Sequence, residues 1–200
     1  MKKILAFFVL IFLFNSAFSQ GPSMAKGKVV VYLGVGAGSG NFGNGKFKGV
    51  GYSYRNSPVI NAGFEYGFYD KVPKSIIGLG ANIAVSFGGA SYRDSKNHGY
   101  DLSWSDFTIL AKGYYHHTFL VGEKWDVYGS PLVGLKFHTY SYTYNDPDYS
   151  NYKEAEASVS PAVGLAVGGR FYVSKNFGFY AEVSHGYNVD YLKLGLAFKF

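Results

Sequence analysis

The 200-residue chain contains no cysteine. That excludes disulfides, thiolate metal centres, thiol catalysis and a lipid-modified N-terminal cysteine. No apolar run approaches the ~20 residues that a membrane-crossing helix needs. Charged residues are scarce, at 16%, and the net charge of +6 is scattered along the chain, which argues against a nucleic-acid-binding surface. Aromatic residues, by contrast, make up 20% of the chain and glycines number 27. Each glycine costs a helix about 1 kcal/mol relative to alanine, so a helical fold is excluded as well.

Residues 1–19 read as a secretory signal peptide. Lys2 and Lys3 supply the basic start, the run from Ile4 to Phe14 is the short apolar core, and Ala17 and Ser19 are the small residues before a cut after Ser19. Removal of this segment takes Lys2 and Lys3 with it. A short lead, 20–27, then precedes a single domain, 28–200.

From Val29 onward the chain alternates with a period of two, in segments separated by turn-forming stretches. Eight strands are predicted, over 28–38, 58–68, 75–87, 104–118, 126–144, 153–173, 177–185 and 190–200. The last shows the pattern most plainly. Leu192, Leu194, Leu196, Phe198 and Phe200 share one face, and Lys193, Gly195, Ala197 and Lys199 share the other.

Three features decide which face points inward. The apolar faces carry no Asp, Glu, Lys or Arg, while the opposite faces are rich in glycine, alanine and serine, which suit the cramped interior of a barrel of about eight strands. Aromatics crowd the strand ends (Tyr66, Phe68, Tyr69, Trp104, Tyr115, Phe119, Trp125, Tyr140, Phe171, Tyr172, Tyr191, Phe198 and Phe200), as membrane-interface girdles do. The connections 70–74, 120–124 and 174–176 are short, whereas 39–57, 88–103 and 145–152 are longer and polar. Together these predict an all-β, eight-stranded, antiparallel, up-and-down transmembrane β-barrel with both ends on the short-turn, periplasmic side. A secreted soluble barrel, with the faces exchanged, is the structural alternative. Pro131 and Pro161 fall inside strands, where each removes a ladder donor, so a bulge is expected at one or both.

A signal peptide, eight amphipathic strands and a last strand ending in Phe200 resemble the small outer-membrane barrels of the OmpA transmembrane-domain and OmpX type. The resemblance covers the mature chain and is one of pattern, not of a specific motif. It implies location in a bacterial outer membrane, contact with outer-membrane lipid, and recognition of the terminal strand (Leu194, Leu196, Phe198, Phe200) by the barrel-insertion machinery. The likeness to full-length OmpA ends with the barrel, and no peptidoglycan-binding domain is expected.

The stretch Gly34–Lys46 contains G-x-G-x-x-G and part of a phosphate-binding loop. Both require a following helix, and Phe47-Lys48-Gly49-Val50 is not one. Nucleotide binding is therefore not expected. His116 and His117 are adjacent on a strand and point to opposite faces, so they cannot chelate one metal. No metal site or cofactor is expected. A hairpin centred near Gly122 brings His138 close to Asp106 at the outer mouth. A histidine beside a carboxylate could be half of a hydrolytic site, but the sequence places no serine there.

Charges on the inward face are Glu65, Asp106, Lys112, Lys136, Arg170, Glu182, Lys193 and Lys199. Because unpaired buried charge is costly, an interior ion network is expected among Glu65, Lys112, Lys136, Arg170, Glu182 and Lys193, centred on Arg170, Glu182 and Lys193. The fifth and sixth predicted strands exceed the ~9–11 residues that cross a bilayer and should project as a ribbon, with Tyr140, Tyr142 and Tyr144 as candidate contacts. The function expected is non-enzymatic: a structural or surface-interaction role, with an unidentified surface ligand or protein partner. A small gated channel and a lipid-modifying hydrolase are the alternatives.

Overall fold

The computed structural model describes residues 23–38, 52–72, 74–94, 99–146, 149–189 and 191–200. The predicted signal peptide and most of the glycine-rich stretch lie outside the described residues. Among the described residues nine strands form: β1 (Val29–Gly38), β2 (Tyr52–Asn56), β3 (Val59–Tyr69), β4 (Ser75–Arg93), β5 (Gly99–Val121), β6 (Trp125–Asp146), β7 (Tyr149–Tyr172), β8 (Phe177–Tyr187) and β9 (Tyr191–Lys199). Every pairing is antiparallel. β1 pairs with both β3 and β9, and β4 pairs with both β3 and β5, so eight strands close into a ring.

β2 is the upper continuation of β3, displaced by one bulge. Asn56 lies opposite Gly88 and Ile60 opposite Val85, so the second stave spends one more residue than β4 over the same span. Ser57 holds the bulge: its amide donates to the Phe87 carbonyl at 2.7 Å, and its Oγ accepts from the Phe87 amide at 2.8 Å. Pro58 sits in it, where its missing donor costs least.

The bulges expected at Pro131 and Pro161 do not form. The β6–β7 register runs unbroken through Pro131↔Leu165 and Leu135↔Pro161. β7 pairs with β8 only as far up as Val163↔Tyr187, so among the described residues Pro161 lies on an edge beyond that ladder, the other place a sheet tolerates proline. Pro131 faces outward opposite Gly113, where the β5–β6 ladder lapses between Lys112↔Leu132 and Tyr115↔Gly129 without changing register.

The barrel is inside-out. Leu165 is 67% exposed and Val167 64%, while Glu65 and Asp126 are wholly buried. Val31, Leu33, Val35, Phe64, Ile83, Ile109, Val133, Val163 and Leu194 extend this apolar belt around the outside. Such an area, at about 25 cal/mol per Å², needs lipid to cover it. Tyr66, Phe68, Tyr115, Trp125, Phe171 and Phe200 ring the short-turn end on the outer surface. Tyr172 and Tyr191 do not belong to that girdle. Strand parity turns both inward, where Tyr172 is 1% exposed and the Tyr191 hydroxyl lies 3.4 Å from Thr108 Oγ1.

The stretches 88–103 and 145–152 are not polar loops, as the sequence had suggested. Pairing continues through Gly88↔Trp104 to Arg93↔Gly99, and through Tyr144↔Tyr152 to Asp146↔Tyr149. Four strands, β4–β7, therefore stand above the ring with β2 on their flank, where the sequence predicted a two-strand ribbon. Beyond the apolar belt neither face needs to be apolar, so the alternation that marks strands in the sequence disappears.

Candidate functional site

The interior is built from the inward parity of each strand, and β5 alone shows its layers. From the short-turn rim upward it contributes His116, Tyr114, Lys112, Leu110, Thr108 and Asp106.

Below His116, the lead closes the barrel mouth. The Ser23 amide donates to the Gly122 carbonyl and its Oγ to the Trp125 carbonyl, both at 2.8 Å, while on the other side the Gly27 amide donates to Gly67 at 2.8 Å. Strung between these anchors, Met24 is fully buried, in one apolar cluster with Val30, Tyr32, Ile76, Tyr172, Tyr180 and Ala197. Gly67 has to be glycine because a Cβ there would collide with the Ala25 carbonyl.

The first charged layer is a closed cycle. His116 Nε2 lies 2.6 Å from Glu65 Oε1, and its Nδ1 lies 2.7 Å from Asp126 Oδ1. Arg170 joins the same two carboxylates from the other side, at 2.5 Å to Glu65 and 3.1 Å to Asp126. Carboxylates on both ring nitrogens suit an imidazolium, which donates from both. Two negative and two positive groups then balance. Arg170 also stacks over Tyr128, 4.5 Å from the ring centroid.

Above a tyrosine layer, in which the Tyr32 and Tyr114 hydroxyls meet at 2.8 Å, lies a second cluster. Glu182 takes Lys112 at 2.6 Å, Lys193 at 3.0 Å and the Tyr128 hydroxyl at 2.9 Å. Its surplus positive charge is spread over the Tyr114 ring, 5.0 Å from Lys112 Nζ, and Asn82 Oδ1, 3.4 Å from Lys193 Nζ. Leu110, Leu132 and Val189, packed on Ala162 and Ala166, then cap the lumen.

The ion pairs are thus arranged differently from the single centre predicted. Glu182 and Lys193 are cross-strand partners, but Arg170 sits opposite Tyr180 and pairs with Glu65 and Asp126. Lys136 joins neither cluster. It pairs with Asp106 at 3.1 Å, beside His138, whose Nδ1 is 2.6 Å from the other Asp106 oxygen. Lys199 lies over Tyr172 at 4.7 Å. His116 and Asp126 were not among the predicted network residues, although each shares inward parity with one of them, His116 with Lys112 and Asp126 with Lys136.

On the ribbon, Tyr140, Tyr142 and Tyr144 carry on the inward parity of β6. Tyr142 stacks on Tyr100 with ring centroids 5.4 Å apart, Tyr54 meets Trp104 at 5.4 Å, and Tyr140 lies opposite Glu156. Leu194 and Phe200 of the terminal strand face outward, 54% and 63% exposed, and β9 closes the ring against β1.

An apolar exterior, girdled by aromatics and wrapped around a filled polar interior, defines a small transmembrane β-barrel. Comparison with solved structures gives the same architecture. The chain is similar to Ail, the attachment invasion locus protein of Yersinia pestis, solved in complex with the heparin analogue sucrose octasulfate. The identity is 14%, the match covers 88% of this chain and 100% of that one, and the TM-score is 0.50. The N-terminal β-barrel domain of Pseudomonas aeruginosa OprF matches at 14% identity over the same shares, with a TM-score of 0.38. No family model matches the chain, and no curated protein matches it. The fold is that of the small eight-stranded outer-membrane barrels.

Proposed function

We propose that the protein is a non-porin surface-interaction protein of a bacterial outer membrane, with both chain ends on the periplasmic side, inserted through its β9 signal and binding through the β4–β7 ribbon. One observation supports this reading: among the described residues the β7–β8 ladder ends at Val163↔Tyr187 while β7 runs on above it, and its residues 155–159 are exposed beside a tyrosine-rich sheet. An unpaired strand edge is a template for another chain's strand, and tyrosine supplies rigid contact area at low entropic cost. The attachment name of the Yersinia protein accords with such a role.

The lumen, stopped by Met24 below and by Leu110, Leu132 and Val189 above, favours a structural plug over a gated channel. Deletion of Tyr142–Tyr152 tests the proposal. Adhesion of expressing cells to surfaces or host matrix should fall to background, while the outer-membrane fraction still yields a heat-modifiable barrel. Full adhesion by the deleted form would refute it.

A further inference from the structure

The rim trio has a fourth neighbour that the sequence did not place. Asp106 on β5 lies directly opposite His138 on β6, and His138 lies directly opposite Ser158 on β7. Residues opposite one another across a ladder share a face, with Cβ atoms about 4.5–5.5 Å apart. A carboxylate, an imidazole and a hydroxyl therefore stand in a row across three adjacent strands.

The carboxylate and the imidazole are in the contact that a base and its positioning residue require, and register sets Ser158 beside the imidazole. Asp106 Oδ1 engages His138 at Nδ1, 2.6 Å away, and Lys136 Nζ holds the other carboxylate oxygen at 3.1 Å. With Nδ1 committed as the donor, Nε2 carries the free lone pair, so the base is the nitrogen farther from the backbone. The His138 side chain is 39% exposed and that of Asp106 18%, and Ser158 is exposed. The buried cycle around His116 has no such opening, because its imidazole is held by carboxylates on both nitrogens.

Two further features mark the place as a site. Among the described residues the β7–β8 ladder ends at Val163↔Tyr187, below Ser158, so Ser158 stands on a stretch of β7 paired with β6 alone. Asn188 Nδ2 donates to the Pro161 carbonyl at 2.8 Å from the β8 side, which fixes the parity of the free edge. Odd-numbered β7 residues direct their backbone groups outward along it. The Val159 amide, next in chain to Ser158, is thus a donor with no ladder partner among the described residues. A main-chain amide following the nucleophile is a usual half of an oxyanion hole. On the outer face at this level, Phe107 and Phe137 mark the upper part of the apolar belt, with ring centroids 5.9 Å apart.

We propose that Ser158, His138 and Asp106 form a nucleophile, base and positioning residue that hydrolyse carboxylic esters at the upper rim. Ser158 Oγ attacks the ester carbonyl carbon as His138 Nε2 takes its proton. The tetrahedral oxyanion is met by the Val159 amide. The bond from carbon to the alkoxy oxygen breaks, and His138 returns the proton to the leaving alcohol. Water then attacks the acyl-serine, His138 again relays the proton, and the carboxylic acid departs, leaving the serine free. The level of the site, beside the upper part of the belt, places lipid acyl esters within reach, and soluble esters share the same chemistry.

The full mature chain, refolded in detergent with its heat-dependent gel shift as the folding control, is exposed to a fluorophosphonate probe. It is assayed separately on p-nitrophenyl butyrate and on phospholipid in mixed micelles. The expected result is covalent labelling at Ser158 and hydrolysis that falls at least ~100-fold in Ser158→Ala and in His138→Gln. Ser160→Ala should keep both, since Ser160 Oγ is engaged by Asn188 at 3.1 Å. Asp106→Asn should lower the rate and move the pH profile, which a merely structural role would not do. Cleavage of phospholipid, alone or with the chromogenic ester, assigns a lipid source; cleavage of p-nitrophenyl butyrate alone assigns soluble esters. Absence of labelling and hydrolysis in folded wild type, or labelling that persists in Ser158→Ala, overturns the proposal.

Discussion

The same three kinds of group, carboxylate, histidine and cation, occur twice in this barrel with opposite consequences. Around His116 they are fully buried and form a closed cycle in which both imidazole nitrogens and both carboxylates are matched. Around His138 they are partly exposed and form an open chain, with the Lys136 ammonium at one end and the imidazole at the other. Burial makes the first set indispensable to the fold, because any member removed leaves charge stranded in a low dielectric. Exposure makes the second set cheap to hold. Height along the barrel axis, not residue type, separates structural charge from available charge.

The largest break in this contrast should come from Arg170→Met. It leaves Glu65 and Asp126 with only His116 between them and is expected to cost about 3–5 kcal/mol, measured as a lower urea midpoint for loss of the heat-modifiable band. Glu182→Ala strands Lys112 and Lys193 and should cost about 3 kcal/mol in the same assay. Single-channel recordings of that variant should stay silent, because the two apolar stops remain. A silent and fully stable variant would show that the second cluster does not hold the barrel together.

Met24→Ala removes the stopper from a packed apolar layer, with an expected loss of about 2 kcal/mol, and it is the change most apt to admit ions from the short-turn side. Asp106→Asn should shift stability by less than about 1 kcal/mol, since its partners are solvent-screened, and a loss as large as that of Arg170→Met would erase the distinction between the two sets. Tyr142→Ala should have the smallest effect, about 0.5–1 kcal/mol from the lost Tyr100 stacking, read as local amide exchange in the ribbon with the barrel midpoint unchanged.

Much of this was legible in the sequence, and the particular residues show why. Leu192 to Phe200 announce their strand and its faces because a membrane stave must keep one side free of charge. Glu182 and Lys193 were foreseeable as neighbours because a short turn fixes their register. The approach of His138 to Asp106 followed from the same hairpin arithmetic. Arg170 was assigned the wrong partners because its true ones, Glu65 and Asp126, include a stave over a hundred residues away. The bulge appeared at Pro58 and not at the two prolines inside strands, because register is kept by the neighbouring ladders and not by the proline alone. The ribbon extensions of β4, β5 and β7 were hidden because strands standing in water on both faces lose their apolar alternation.

By itself the sequence determined the strands, their handed alternation between lipid and lumen, and the presence of inward charge, since each is a local consequence of period two and of what a bilayer excludes. Only the tertiary structure decided which charges meet, that Met24 and Val189 stop the two ends, and that Ser158 stands in line with His138 and Asp106. Those outcomes depend on ring closure and on the relative heights of neighbouring strands, quantities set by ladders between distant segments and carried by no single stretch of chain.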